Sequence, residues 1–172
     1  MNKPLLSMAI SAALLAGCQT TPEDPPRATA QLKPASGSKT IGEATFEQTG
    51  DNKVRIFLFA QGLKPNAQHA VHIHEVGDCS APDASSAKGH FNPTGKPHGA
   101  PGSGHAGDLP MLKANAKGRG NINYEAPGLT VTSGPGSVVG RAIVIHADPD
   151  DFKSQPAGNS GARIACGVIR AG

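Results

Sequence analysis

The side chains best suited to chemistry are seven histidines, His69, His72, His74, His90, His98, His105 and His146, all within one stretch of a 172-residue chain. His72-Ile73-His74 is the tightest pair. On a strand, residues two apart point the same way with Cα atoms roughly 6.5–7 Å apart, so both rings can meet one ion. Alone, such a pair also arises as a surface accident. The pattern gains weight from His90, His98 and His105, which punctuate a Gly- and Pro-rich segment ending in Gly107-Asp108-Leu109. Three imidazoles and a carboxylate are a closed four-coordinate set, the number that zinc takes in structural sites. The intervening Gly and Pro let the backbone bend sharply around an ion. His146 closes the apolar run Ala142-Ile143-Val144-Ile145-His146, from which its ring could reach His72 and His74. With His90 shared, the residues make two sets. One has four nitrogens, His72, His74, His90 and His146, which suits copper. The other, His90, His98, His105 and Asp108, has three nitrogens and an oxygen. A zinc-only binding protein uses the same residue types. A zinc hydrolase fits poorly, because no His-Glu-x-x-His supplies a glutamate base.

Such residues need elements to hold them. Hydrophobic residues make up 37% of the chain and aromatic residues 3%, with 22 Gly and 15 Pro. So many turn residues favour short strands over helices. Strand-like runs occupy residues 28–33, 40–48, 53–60, 68–75, 108–114, 121–125, 141–146 and 163–169. In the third, Val54, Ile56 and Leu58 alternate with Arg55, Phe57 and Phe59, and Asp51-Asn52 before it suits a hairpin turn. Eight such runs predict an all-β, antiparallel sandwich or flattened barrel. Residues 76–107 and 147–162 are too long for ordinary connections, and loops of that length are usually functional or disordered. The net charge of +3 comes without a basic stripe and with few aromatics, so no nucleic-acid partner is expected.

The first residues have a different character. Lys3 precedes a short apolar run that ends in Leu15-Ala16-Gly17-Cys18. The run is too short to span a bilayer and has the layout of a secretory signal. Its last four residues resemble the bacterial lipobox, in which the cysteine becomes the lipidated first residue. The expected organisation is a signal peptide over 1–17, lipidated Cys18 with a polar, Pro-rich tether to residue 27, and one domain over 28–172. Lipid would then attach the domain to the bacterial envelope, facing periplasm or cell surface. Cys79 and Cys166 remain. In an exported chain an even pair reads as a disulfide. Two thiolate ligands are the alternative, though neither cysteine has a Cys-x-x-Cys partner.

The segments His69–Cys79, Gly89-His90-Phe91-Asn92-Pro93, Lys96-Pro97-His98-Gly99, His105–Pro110, Gly140–His146 and Gly158–Ile169 together resemble copper–zinc superoxide dismutases in their bacterial exported form. The resemblance covers roughly residues 28–170. It implies an eight-stranded Greek-key β-barrel with two long functional loops, and one copper and one zinc per chain. It assigns copper to His72, His74, His90 and His146, and zinc to His90, His98, His105 and Asp108, with His90 as the imidazolate bridge. It places Asp150 as the carboxylate linking a copper histidine to a zinc histidine, and Arg163 as the active-site arginine. It gives Cys79–Cys166 as the family disulfide and His69 as a supporting non-ligand. The implied reaction is dismutation of superoxide, with Arg163 and His90 as the catalytic residues and a monomer or homodimer as the assembly. Without the resemblance, Arg163 reads as a salt-bridge partner and Asp150-Asp151 as a solvated turn pair. The alternative function is a periplasmic copper/zinc-binding lipoprotein without turnover. Ala70-Val71 departs from the usual Gly-Phe of the family, beside but not among the ligands.

Overall fold

The computed structural model describes residues 24–172. The expected signal peptide and lipidated Cys18 lie outside the described residues. Ten strands follow in chain order: β1 (Arg27–Pro34), β2 (Ile41–Gly50), β3 (Lys53–Gln61), β4 (Gln68–His69), β5 (Val71–His74), β6 (Leu112–Lys113), β7 (Arg119–Pro127), β8 (Ala142–His146), β9 (Arg163–Val168) and β10 (Arg170–Ala171). They pair antiparallel in the order β5-β8-β9-β1-β2-β3-β7, with β10 on β1 and a separate β4-β6 ladder. β1 joins the two halves of this curled sheet. Most of it pairs with β2, whereas Lys33 and Pro34 pair with Cys166 and Ala165 of β9.

Alternation builds the interior. Ala28, Ala30 and Leu32 of β1, Phe46 of β2, and Val54, Ile56 and Leu58 of β3 point inward and are buried. They meet Val71 and Ile73 of β5 and Ile143 and Ile145 of β8 in one core. A second, smaller cluster forms on the other face of β8, where Ala142 and Val144 pack with Ala84, Ala87 and Cys166. Both faces of β8 are therefore buried, because the long loops cover its outer side. Asn52 takes a left-handed conformation (φ 53°) in the turn between β2 and β3, as its sequence suggested.

The all-β architecture agrees with the sequence, and several boundaries differ. The run 68–75 is cut at Ala70. Its first part pairs with β6 and its second with β8. Ala70 itself bonds to Asp148 and accepts from the His146 amide, so the chain changes partners at that residue. Of residues 108–114, only Leu112 and Lys113 enter a named strand. The loop 76–107 contains one short 3₁₀ turn, Ser85–Ala87.

Candidate metal centre

β5 sets the site. Val71 and Ile73 fill the core, which turns His72 and His74 to the outer face, and β8 lays His146 beside them. The loop 76–107 then folds back along β5. Ile73 donates to Gly107 O and accepts from Phe91 N, and Glu75 donates to Gly89 O. Backbone bridges align His74 with His90 and His72 with Asp108. Two donor groups result, His72/His74/His90/His146 and His90/His98/His105/Asp108, and within each the ligand atoms lie within 4.8 Å of one another.

The nitrogens separate into those that are held and those that are free. His72 Nε2 donates to Asp150 Oδ2 at 2.7 Å and His98 Nε2 donates to Asp150 Oδ1 at 2.9 Å. One carboxylate therefore fixes a ring in each group and leaves both Nδ1 atoms with a lone pair. His74 Nδ1 donates to Lys88 O at 2.8 Å, which turns Nε2 inward. His146 Nδ1 lies 3.3 Å from Gly161 O and 3.2 Å from Ser160 Oγ. Of the nitrogens turned toward the two groups, His72 Nδ1, His90 Nε2 and His98 Nδ1 are buried without a hydrogen-bond partner. Orphaned buried polar atoms are costly and need a reason. A metal ion supplies it. The remaining spacings fit as well: His74 Nε2 and His146 Nε2 stand 3.4 Å apart, and His90 Nδ1 and His105 Nδ1 stand 3.3 Å apart. Two nitrogens on a tetrahedral ion at about 2.0–2.1 Å are separated by about 3.3–3.4 Å. Asp108 Oδ1 is 2.9 Å from His90 Nδ1, and Asp108 Oδ2 is 3.1 Å from His98 Nδ1. His90 belongs to both groups: its Nδ1 lies beside Asp108 and His105, and its Nε2 is buried without a partner.

Electrostatics keep the rings ready for a cation. Burial lowers the His74 pKa to about 2 and the His146 pKa to about 4, and neighbouring His90 and Arg163 add to both shifts. His72 is pushed well below its ordinary value by burial and then by His90, and burial also lowers His105. These imidazoles are neutral near pH 7, the form that binds metal. Burial pushes Asp108 up, but the His90 ring and the Gly99 and His105 amides outweigh it, and its net pKa falls.

Arg163 lines an open cavity with His74, His90 and His146. Its guanidinium donates to Ala84 O at 2.7 Å and Lys88 O at 2.6 Å, both on the loop 76–107. Burial draws its pKa down and Asp83 draws it back. The disulfide Cys79–Cys166 ties that loop to β9, which carries Arg163; these cysteines are thus not thiolate ligands. His69 is buried, and its Nδ1 donates to His146 O at 2.9 Å.

Sequence reasoning passed over several contributors. Gln155 accepts from the His98 amide at 2.8 Å and donates to His98 O at 3.0 Å, joining the two long loops. Gly158 sits at φ +64°, where a Cβ would run into Asp150 Oδ1 and stand 2.7 Å from His98 Nε2. The carbonyls of Ala84 and Lys88 serve Arg163 through backbone atoms, which leave no trace in residue type. Only Gly158 could have been suspected, as a glycine close after Asp150.

A β-barrel with two adjacent donor groups on one covered face is a metalloprotein with a two-ion centre. Within that class, the chain belongs to the copper/zinc superoxide dismutase family, whose sequence profile it matches over residues 40–169. It is 49% identical over 138 residues to superoxide dismutase [Cu-Zn] 2 of Aquifex aeolicus, covering 77% of this chain and 80% of that one. It is 39% identical over 181 residues to superoxide dismutase [Cu-Zn] of Deinococcus radiodurans, covering 98% and 94%. Among solved structures it resembles a SOD-like protein from Bacillus subtilis, with a TM-score of 0.73 and 37% identity over 81% of this chain and 95% of that one.

Proposed function

We propose that this chain is an envelope enzyme that converts two superoxide anions and two protons to O₂ and H₂O₂. Family membership makes it an oxidoreductase with copper and zinc as cofactors. His72, His74, His90 and His146 would hold copper, and His90, His98, His105 and Asp108 would hold zinc. When bound, copper supplies the one-electron redox chemistry, and zinc, which keeps its oxidation state, anchors the shared ring. Arg163 contributes a fixed cation at the cavity and draws and orients the anion. Its two carbonyl partners hold the guanidinium in place. His90 Nε2 is the atom placed to take up and release a proton between the half-reactions, while Nδ1 stays among the zinc-type donors. Asp150 positions one ring of each set and fixes both tautomers, as carboxylates behind metal ligands do.

The observation that carries this reading is the membership of His90 in both donor groups, with Nδ1 at Asp108 and Nε2 buried and unpartnered, which supports a shared ring. The proposed chain organisation is a signal peptide over 1–17, a lipidated Cys18 with a tether to residue 27, and a catalytic domain over 28–172, as monomer or homodimer. The disulfide suits an oxidising compartment outside the cytoplasm. Metal analysis with superoxide-decay kinetics tests the function. One copper and one zinc per chain with rapid loss of superoxide is the expected result. Zinc alone, or both metals with no turnover, would make the chain a metal-binding lipoprotein instead.

A further inference from the structure

Among the described residues, the exposed large apolar side chains are Ile41, Phe57, Phe59 and Val76. The first three share one surface, the outer face of β1, β2, β3 and β7. Phe57 and Phe59 are neighbours on β3, and Phe59 lies opposite Glu43, one step diagonally from Ile41. Phe57 and Phe59 line one shallow groove with Gln31, Asn121 and Asn123, and Ile41 lines a second that shares Phe59, Glu43 and Gln31 with it. Single exposed apolar residues are ordinary, whereas a contiguous group on a face that should alternate outward-polar needs a partner.

The surrounding charges indicate which partner. Outward positions of these strands hold five basic residues, Arg27, Lys33, Lys53, Arg55 and Arg119, against Glu43, Glu47 and Glu125. Two of the acids pair in place, Glu47 with Arg27 and Glu125 with Arg55 and Lys53, so these five bases and three acids leave a net charge of +2 on the face. Glu43 is the one acidic group within the apolar rows. Aromatic side chains rimmed by Lys and Arg match the headgroup level of an anionic bilayer.

The chain also enters at the right place. Eight residues lie between Cys18 and Arg27, so nine Cα–Cα steps give a reach of at most roughly 30 Å. Arg27 heads a cross-strand row through Glu47 and Arg55. Phe57 is two strands across and one pleat repeat along from it, about 10 Å and 7 Å in strand geometry. No metal-ligand candidate lies on these four strands, so docking this face leaves the cavity at Arg163 open to water.

We infer that the outer face of β1, β2, β3 and β7 docks on an anionic phospholipid bilayer, with Phe57, Phe59 and Ile41 at headgroup level. This rests on the lipoprotein reading of Cys18: the lipid supplies attachment, the short tether supplies a high local concentration, and the face supplies a fixed orientation.

The chain has no tryptophan, so one introduced tryptophan is a unique reporter. Mature, lipidated, metal-loaded Phe59→Trp and Val76→Trp variants, beginning at Cys18, would be reconstituted in phosphatidylethanolamine/phosphatidylglycerol vesicles with brominated acyl chains. The Phe59→Trp emission is expected to shift blue and to lose about half its intensity, given the shallow depth of interfacial side chains. Replacing phosphatidylglycerol with phosphatidylcholine should weaken both effects, and the Val76→Trp emission should not respond. An unquenched Phe59→Trp variant whose intact mass includes the acyl chains overturns the inference and leaves the anchor standing. A blue shift without lipid quenching, with doubled particle mass in detergent, assigns the face to a second copy and also overturns it. An intact mass without acyl chains removes the lipoprotein reading, and this inference with it.

Discussion

One carboxylate, Asp150, touches both donor groups, so a change there should separate the two metals. Oδ1 serves His98 and also accepts from the Phe152 amide at 2.7 Å, while Oδ2 serves His72 alone. Asparagine at this position keeps more bonds by leaving its oxygen at Oδ1. Its amide N–H group then faces the His72 N–H, donor against donor. Asp150→Asn should therefore weaken copper by about 10–100-fold, the usual cost of losing the group behind a ligand, and zinc by less. Chelator competition on each metal measures this. Equal losses, or zinc lost first, would contradict the division of labour between the two oxygens. At this scale the sequence was legible where chemistry restricts residue type. Few side chains bind copper or zinc, so histidine spacing, with Asp108 at the end of the loop, pointed to the residues of both donor groups. It was silent where the backbone does the work, as at Ala84 O and Lys88 O.

The long loops are elements in their own right, although they contain almost no regular structure. Loop 76–107 is fixed by its backbone bonds to β5, by Arg163 and by the disulfide. The disulfide closes a sequence separation of 87 residues. In the chain-entropy picture a loop of that size is worth about 4–5 kcal/mol. Cys79→Ser combined with Cys166→Ser should lower unfolding stability by up to that amount. It should also reduce activity per bound copper, because the loop holding Ala84 and Lys88 is freed from the strand of Arg163. Denaturant midpoints and kinetics normalised to copper content test both. Unchanged activity per copper at reduced stability would mean that Arg163 keeps its place without the link. The strands were legible wherever one face is wet and the other dry: β1, β2 and β3 alternate clearly. β5 and β8 are buried on both faces, and they were legible by other marks, the alternating histidines of Val71–His74 and the apolar run of Ala142–His146. The break at Ala70 left no signal, since a change of hydrogen-bonding partner is a property of the fold and not of alanine.

At the scale of the molecule, abundant Gly and Pro with period-2 alternation were enough for an all-β barrel. The covering of one barrel face by both long loops was not readable, because it depends on contacts between residues far apart in the chain, such as Gln155 with His98. That covering has a cost that pH should expose. His72, His74, His105 and His146 all have lowered pKa values, chiefly through burial. In the unfolded chain each returns to about 6.5. Below that pH the unfolded state binds protons that the folded, metal-free state refuses, so stability falls as pH falls. The stability is fully present above about pH 6.5. It is lost progressively toward the folded values, about 4 for His146 and about 2 for His74. Each histidine within its window contributes up to about 1.4 kcal/mol per pH unit. Between pH 6.5 and 5 the carboxylates add little. The lowered Asp108 and Asp151 values lose their stabilising effect only as pH approaches the ordinary aspartate range. Urea unfolding of metal-free protein with its disulfide intact should thus show a steep loss of stability from pH 7.5 to 5. A flat profile over that interval would mean that the metal-free rings open to solvent, and that the ions themselves, rather than the loops, keep the donor groups closed.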